Sequence, residues 1–183
     1  MPMEHYQTAV THQSVLLRTR MQKQGKYMKI RIVSIGKTKD DALRNCILSY
    51  VARLAHYAPT EYVELPDSKL KSLSDVALKK TEGMMILENL KAGELLVVMD
   101  ERGEQFTSLA FSQWLQKKMN TGRKSACFVI GGAFGFAPEV YARADAKISL
   151  SQFTFPHDLA RLILSEQLYR AFTLLKGERY HHD

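Results

Sequence analysis

The amino-acid sequence predicts an α/β domain built on a mainly parallel sheet with helices on both faces. Three observations predict it. Strand-like apolar runs alternate along the chain with segments of helical spacing, the order expected where crossover helices link parallel strands. The run Leu95–Met99 (LLVVM) is apolar throughout, as in a parallel strand covered on both sides. The chain also closes on a long helix, within the stretch Leu150–Phe172 (LSQFTFPHDLARLILSEQLYRAF), that is apolar around most of its circumference. Such a helix must be covered from more than one side.

Taken in order, Lys29–Gly36 (KIRIVSIG) alternates, is rich in β-branched residues and stops at a glycine, which predicts the first strand. Thr38 and Asp41 resemble a capping box, and Leu43, Ile47, Tyr50, Val51 and Leu54 recur at helical spacing up to the break at Pro59. Tyr62, Val63 and Leu65 give a short second strand ending at Pro66; the polar run DSKLKSLSD reads as a linker, and a helix is expected from about Ser74 to Leu90. The strand Leu95–Met99 ends at the turn-like sequence DERGE, which puts Met99 at a strand terminus. Phe111, Trp114, Leu115 and Met119 share a face of the next helix, which Asn120 and Gly122 terminate before the strand Ala126–Ile130. Pro138–Arg143 is a short helix and Ala146–Leu150 the last strand. Pro156 suits the first turn of the closing helix, and Asp158 lies near the positive end of its dipole. Polar residues of that helix fall in two stripes, Asp158, Arg161 and Ser165 on one and Glu166 and Arg170, an i, i+4 pair, on the other.

The 183 residues, 45% of them hydrophobic, fit one domain with a real core. The formal charge of +7 suggests an anionic partner, but Arg18, Arg20, Lys23 and Lys26 against Glu4 supply +3 of it, leaving +4, a mild hint of nucleic acid. Cys46 and Cys127 lack metal or disulfide spacing and read as buried thiols of a reducing compartment. No apolar run reaches the length of a membrane span and no secretory h-region opens the chain, so a soluble cytoplasmic protein is expected, with no membrane partner. Residues 1–27 are polar and weakly periodic and read as an N-terminal extension, disordered and outside a domain spanning 28–183.

Ligands of open parallel sheets bind beyond the C-terminal strand edges, reached here by Met99, Gly131 and Leu150. IGGAFGF, residues 130–136, sets Gly131, Gly132 and Gly135 just after a strand, where backbone can approach a ligand closely. By itself the run is equally a tight turn. No GK[ST] follows it, so it is not a Walker loop; GxSxG is absent, and the histidines lack metal-ligand spacing. LSQFTFPH, also between a strand and a helix, offers backbone donors beside apolar rings, and two such loops could clamp an adenosine.

In that order MKIRIVSIGK, LVVMDERGE, FVIGGAFGF, LSQFTFPHDLARLILSEQLYRAF and the tail GERYHH resemble the SPOUT methyltransferases of ribosomal RNA, over Met28–His182. The resemblance implies a C-terminal trefoil knot whose segments form an S-adenosylmethionine pocket, a rare exception to unknotted topology. Carried over position by position, it implies cofactor contacts from Met99, Gly131, Gly135, Leu150, Ser151, Gln152, Phe153, Thr154 and Phe155. It implies a homodimer, in keeping with the helix that needs covering, and no metal. The implied reaction is methyl transfer to N3 of a pseudouridine in 23S rRNA, within the assembled large subunit or the 70S ribosome. The candidates for handling the N3 proton or the developing anion are His157, Arg161, Tyr180 and His181. His157 is equally a structural histidine, and Arg161 equally half of a dimer-interface ion pair. Tyr180 is suited to stack on a splayed base and His181 to contact it. His182 stands where a basic residue is expected. Two rivals remain: a SPOUT enzyme for another RNA nucleotide, and a non-catalytic ribosome-binding factor that has kept the fold.

Overall fold

The computed structural model describes residues 28–67 and 74–178. The expected extension 1–27, most of the DSKLKSLSD linker, and the candidates Tyr180 and His181 lie outside the described residues. Five strands, β1 (Lys29–Ile35), β2 (Thr60–Leu65), β3 (Leu95–Gln105), β4 (Ser125–Ile130) and β5 (Ala146–Ser149), form one sheet in the order β2-β1-β4-β3-β5. Every pairing is parallel. Five helices connect or follow them: α1 (Asp41–Leu54), α2 (Asp75–Asn89), α3 (Ser108–Met119), α4 (Pro138–Arg143) and α5 (His157–Leu175).

Alternation along the strands divides the core in two. Ile30, Ile32, Val97, Phe128 and Ile130 face Leu54 of α1, Leu115 of α3 and Leu164, Leu168 and Phe172 of α5. Val33, Ile35, Leu96, Val98 and Val129 face Ile86 of α2 and Val140 of α4. The sheet is thus covered on both faces, as the apolar run in β3 requires. Burying side chains such as Leu164, Leu168 and Phe172 stabilises the α5 contact by about 1.5–3 kcal/mol each. On the other face Gly83 lets α2 approach α4, since a Cβ there would lie 2.8 Å from Ala137 Cβ and 3.3 Å from Val140 Cγ2.

Several local expectations are corrected. β3 does not stop at Met99: Met99 and Glu104 both pair with Ile148, so residues 100–103 make an excursion before the strand resumes. Gly103 makes this possible, because a Cβ there would lie 2.6 Å from the Ile148 backbone. Asp40, not Thr38, caps α1, its carboxylate accepting from Leu43 N at 2.8 Å. Pro156 is the N-cap of α5 and not a residue of its first turn. Cys46 is exposed and only Cys127 is buried, the former because it falls on the solvent side of α1. The stripe Arg161–Ser165 of α5, polar in sequence, points into the protein: Arg161 is 2% exposed and Ser165 fully buried. Leu159, Leu162, Ile163, Leu174 and Leu175 are half-buried instead. Among the described residues no helix is long and apolar enough to cross a membrane.

Candidate cofactor and active site

Strand register assembles the site. Met99 of β3 pairs with Ile130 of β4 and with Ile148 of β5, so β4 and β5 end at the level where β3 makes its excursion, and the three segments leave the sheet on the same side. Between these loops lies a cavity of about 380 Å³, within the size range of small-molecule sites. Its floor is Met99, Ile130 and Ile148; its walls are 131–136, 149–151 and 153–155; His157 and Ala160 of α5 close one side.

The walls are held by their own polar groups. Gly135 N donates to Gly132 O at 3.0 Å, and Gly135 has φ +75°, a conformation that a side chain would resist. Behind Gly131 stands the Phe136 ring, 3.1 Å from where a Cβ would sit. In the second loop Ser149 Oγ donates to Ser151 O at 2.7 Å, while Ser151 Oγ accepts from Phe153 N at 3.0 Å. The Phe153 ring, 81% exposed, and Phe134, 42% exposed, stand at the mouth, where their faces are open to a planar ligand.

One end of the cavity is acidic. Asp100 accepts from the Tyr141 hydroxyl and from Arg102 N at 2.8 Å. Burial alone would raise its carboxyl, but these hydrogen bonds outweigh it and hold Asp100 below 3.8. Burial and then the same contact push the Tyr141 hydroxyl up. Asp100 is therefore an anion at neutral pH, suited to accept from ribose hydroxyls or an ammonium. At the opposite side, partial withdrawal from water and then the Arg161 charge hold the His157 imidazole below 6.5, although Asp158 opposes this. His157 is thus mostly neutral near pH 7.

Of the residues singled out from sequence, Met99, Gly131, Gly135, Leu150, Ser151, Phe153, Thr154, Phe155 and His157 line this one cavity. Gln152 is exposed and does not line it. Arg161, one turn beyond His157, does not line it either. Its Nη2 donates to Ile35 O at 2.7 Å, and its Nη1 to Thr38 Oγ1 at 2.9 Å and to Asp158 Oδ1 at 3.0 Å. Those bonds tie α5 to the end of β1. Glu166 and Arg170 form the i, i+4 pair that their spacing predicts, at 2.6 Å. Sequence reasoning missed Asp100, Arg102, Phe134, Phe136, Tyr141 and Ala160. A signal for the first two was present: charged residues directly after a buried strand, at the edge where ligands bind. Tyr141 carried none, since only the fold of α4 brings it to Asp100.

A family model described as a predicted SPOUT methyltransferase matches residues 28–181. Ribosomal RNA large subunit methyltransferase H of Christiangramia forsetii is 50% identical over 156 residues, 85% of this chain and 99% of that protein. The proteins of the same name from Parabacteroides distasonis and Cytophaga hutchinsonii are 48% and 47% identical, each over 85% of this chain and 100% of their own length. Among solved structures, a TrmH/SpoU tRNA modifying enzyme of A. aeolicus aligns with a TM-score of 0.46 at 16% identity, over 92% of this chain and 86% of that one.

Proposed function

This chain belongs to the SPOUT methyltransferase family, and on that premise we propose that it is an S-adenosylmethionine-dependent methyltransferase of large-subunit ribosomal RNA, acting on N3 of a pseudouridine. The single observation that carries the reading is the convergence of the three loops after Met99, Ile130 and Ile148 on one cavity. The residues present fit the cofactor: apolar groups for an adenine, glycines for close backbone approach, and the Asp100 anion for hydroxyl or ammonium donors. Gly131, Gly135 and the loop 150–155 hold the adenosyl part in this reading, with Gln152 contributing backbone only.

When bound, S-adenosylmethionine supplies an electrophilic methyl carbon on a sulfonium, so the protein's task is alignment and proton removal rather than bond activation. The loops 131–136 and 150–155 exclude water and fix the approach line. His157, neutral and at the rim, is placed to accept or relay a proton. Arg161 serves as a positioning residue, setting the start of α5 against the loop after β1. Tyr180 and His181 stack on and contact the acceptor base in this reading, and Phe134 and Phe153 cover its neighbours.

The half-buried leucines and Ile163 of α5 support a homodimer with an α5 face at its interface. The packing of α5 onto α1 and α3 suits the knotted threading expected of the family. Residues 28–183 act as the methyltransferase domain and 1–27 as an extension to it, in the cytoplasm where ribosomes are found. With a charge of only +7 overall, recognition rests on the shape of the assembled particle more than on phosphate attraction. The test is label transfer from S-adenosylmethionine to 70S ribosomes, protein-free 23S rRNA and tRNA in parallel. Transfer to ribosomes well above the other two is expected; efficient transfer to tRNA, or none to ribosomes despite cofactor binding, overturns the substrate assignment.

A further inference from the structure

Residues 100–103 leave the sheet between Met99 and Glu104, and they carry the fixed charge of the cavity. Asp100, Glu101 and Arg102 all line it, and Arg102 is the one lysine or arginine that does. Lys147 of β5 is engaged elsewhere, its Nζ lying over the Tyr141 ring at 5.5 Å from the ring centre. His157, mostly neutral near pH 7, adds little. With two acids against one cation, the lining carries a net negative charge.

Local bonds fix the acid and leave the cation open. The Tyr141 hydroxyl donates to Asp100 Oδ2, and the Tyr141 ring is itself held edge-on by Phe136, with ring centroids 5.7 Å apart. Arg102 N donates to Asp100 Oδ1 at 2.8 Å, which fixes the backbone of residue 102 beside the acid. The Arg102 Nε stands 3.5 Å from the same oxygen. The Asp100 side chain is only 7% exposed, whereas that of Arg102 is 79% exposed. A pair so open on one side contributes little to folding, and its cation is available to a ligand instead. An α-amino-acid end carries an ammonium and a carboxylate on one carbon, and an acid beside a cation matches it. The acid accepts from the ammonium, and the planar guanidinium offers a fork of N–H donors to the carboxylate. S-adenosylmethionine carries such an end together with its sulfonium, so its net charge is positive and opposite to that of the lining.

Resting on the methyltransferase reading, we propose that Arg102 selects the cofactor by its carboxylate. The guanidinium takes the carboxylate of the amino-acid end while Asp100 holds the ammonium, so the chain distinguishes S-adenosylmethionine from adenosine thioethers that lack this end. Tyr141 is a positioning residue here, because its hydroxyl keeps Asp100 turned toward the pair.

The test is calorimetric titration of wild type, Arg102→Gln and Arg102→Lys, without RNA, with three ligands: S-adenosylmethionine, its decarboxylated form, and 5′-methylthioadenosine, which lacks the whole amino-acid end. Arg102→Gln is expected to bind S-adenosylmethionine about 5- to 20-fold more weakly, a charge-assisted fork discounted for its exposure. Its affinity for methylthioadenosine should stay within about twofold of wild type, since that ligand offers the cation nothing to bind. Decarboxylated S-adenosylmethionine should bind Arg102→Gln as tightly as wild type or tighter, because the cation then only repels a more positive ligand. Arg102→Lys keeps the charge without the fork and should fall between the two. An Arg102→Gln chain that weakens all three ligands equally overturns the proposal, since the loss is then not tied to the carboxylate. So does one that binds all three as wild type and loses only methyl transfer to ribosomes, which would assign the cation to an RNA phosphate. A wild type that binds none of the three ligands brings down the cofactor reading, and the proposal with it.

Discussion

Replacing Arg161 by leucine separates a strut from a substrate-binding cation. The guanidinium is 2% exposed, and its three hydrogen bonds end on Ile35 O, Thr38 Oγ1 and Asp158 Oδ1. Leucine leaves these without a donor. The Ile35 carbonyl, at a buried strand end, loses a charge-assisted bond, about 1.5–3 kcal/mol. The Thr38 hydroxyl still has Tyr62 Oη at 3.3 Å, so its loss is about 0.5–1 kcal/mol. The Asp158 side chain is 24% exposed and can rehydrate, which limits its share. The added apolar burial of leucine offsets little, because the site was built for a polar group. Together the expected cost is about 2–4 kcal/mol, or a fall in Tm of roughly 4–16 °C for a chain of this size. Urea unfolding followed by circular dichroism measures it, with cofactor affinity read on the same samples. A change below about 1 kcal/mol, accompanied by lost methyl transfer at unchanged cofactor affinity, would refute the strut and assign the cation to the substrate.

Gly103→Ala should destabilise by about 1–3 kcal/mol and weaken cofactor binding, because the added methyl meets the β5 backbone at 2.6 Å and no side chain can move aside; unchanged unfolding would contradict the pairing of 104–105 with β5. Gly93→Ala, with nothing within 4 Å, is the control and should cost only the strain of φ +72°. The His157 imidazole should titrate below 6.5 by NMR. Since the folded chain then binds that proton less readily than the unfolded one, His157 takes stability away as pH falls through 6.5; a midpoint at or above 6.5 would remove the physical basis for a neutral rim histidine. A thiol reagent at pH 8 should modify Cys46 and spare Cys127, whose thiol burial pushes up to about 12; equal reaction of both would mean that β4 is less covered than described.

The elements were readable because each carries a local signal. Ile30, Ile32 and Val33 alternate, LLVVM is unbroken, and Pro59, Pro66 and Gly122 punctuate, so the observed bounds fall within one or two residues of those expected for most elements. The cavity-lining loops were readable because two of them, a glycine run and a segment with apolar rings, each directly follow a strand at the edge where ligands of parallel sheets bind. What was not legible depends on partners distant in sequence. DERGEQ looks like a turn, and only the close approach of Gly103 to Ile148 keeps it in the sheet. Arg161 and Ser165 form a polar stripe on paper, yet Thr38 and the Ile35 carbonyl turn that stripe inward. The burial of Glu82 likewise follows from Gly83 and Gly132, 49 residues apart.

The most direct measurement of the central claim is the identity of the methylated nucleoside. Ribosomes lacking the modification are incubated with the protein and labelled S-adenosylmethionine, and the 23S rRNA is digested and mapped by mass spectrometry. The account predicts one labelled product, N3-methylpseudouridine, formed by wild type and sharply reduced in a variant that fills the cavity at Gly131. Label on a different nucleoside, or undiminished label when the cavity is filled, would contradict it.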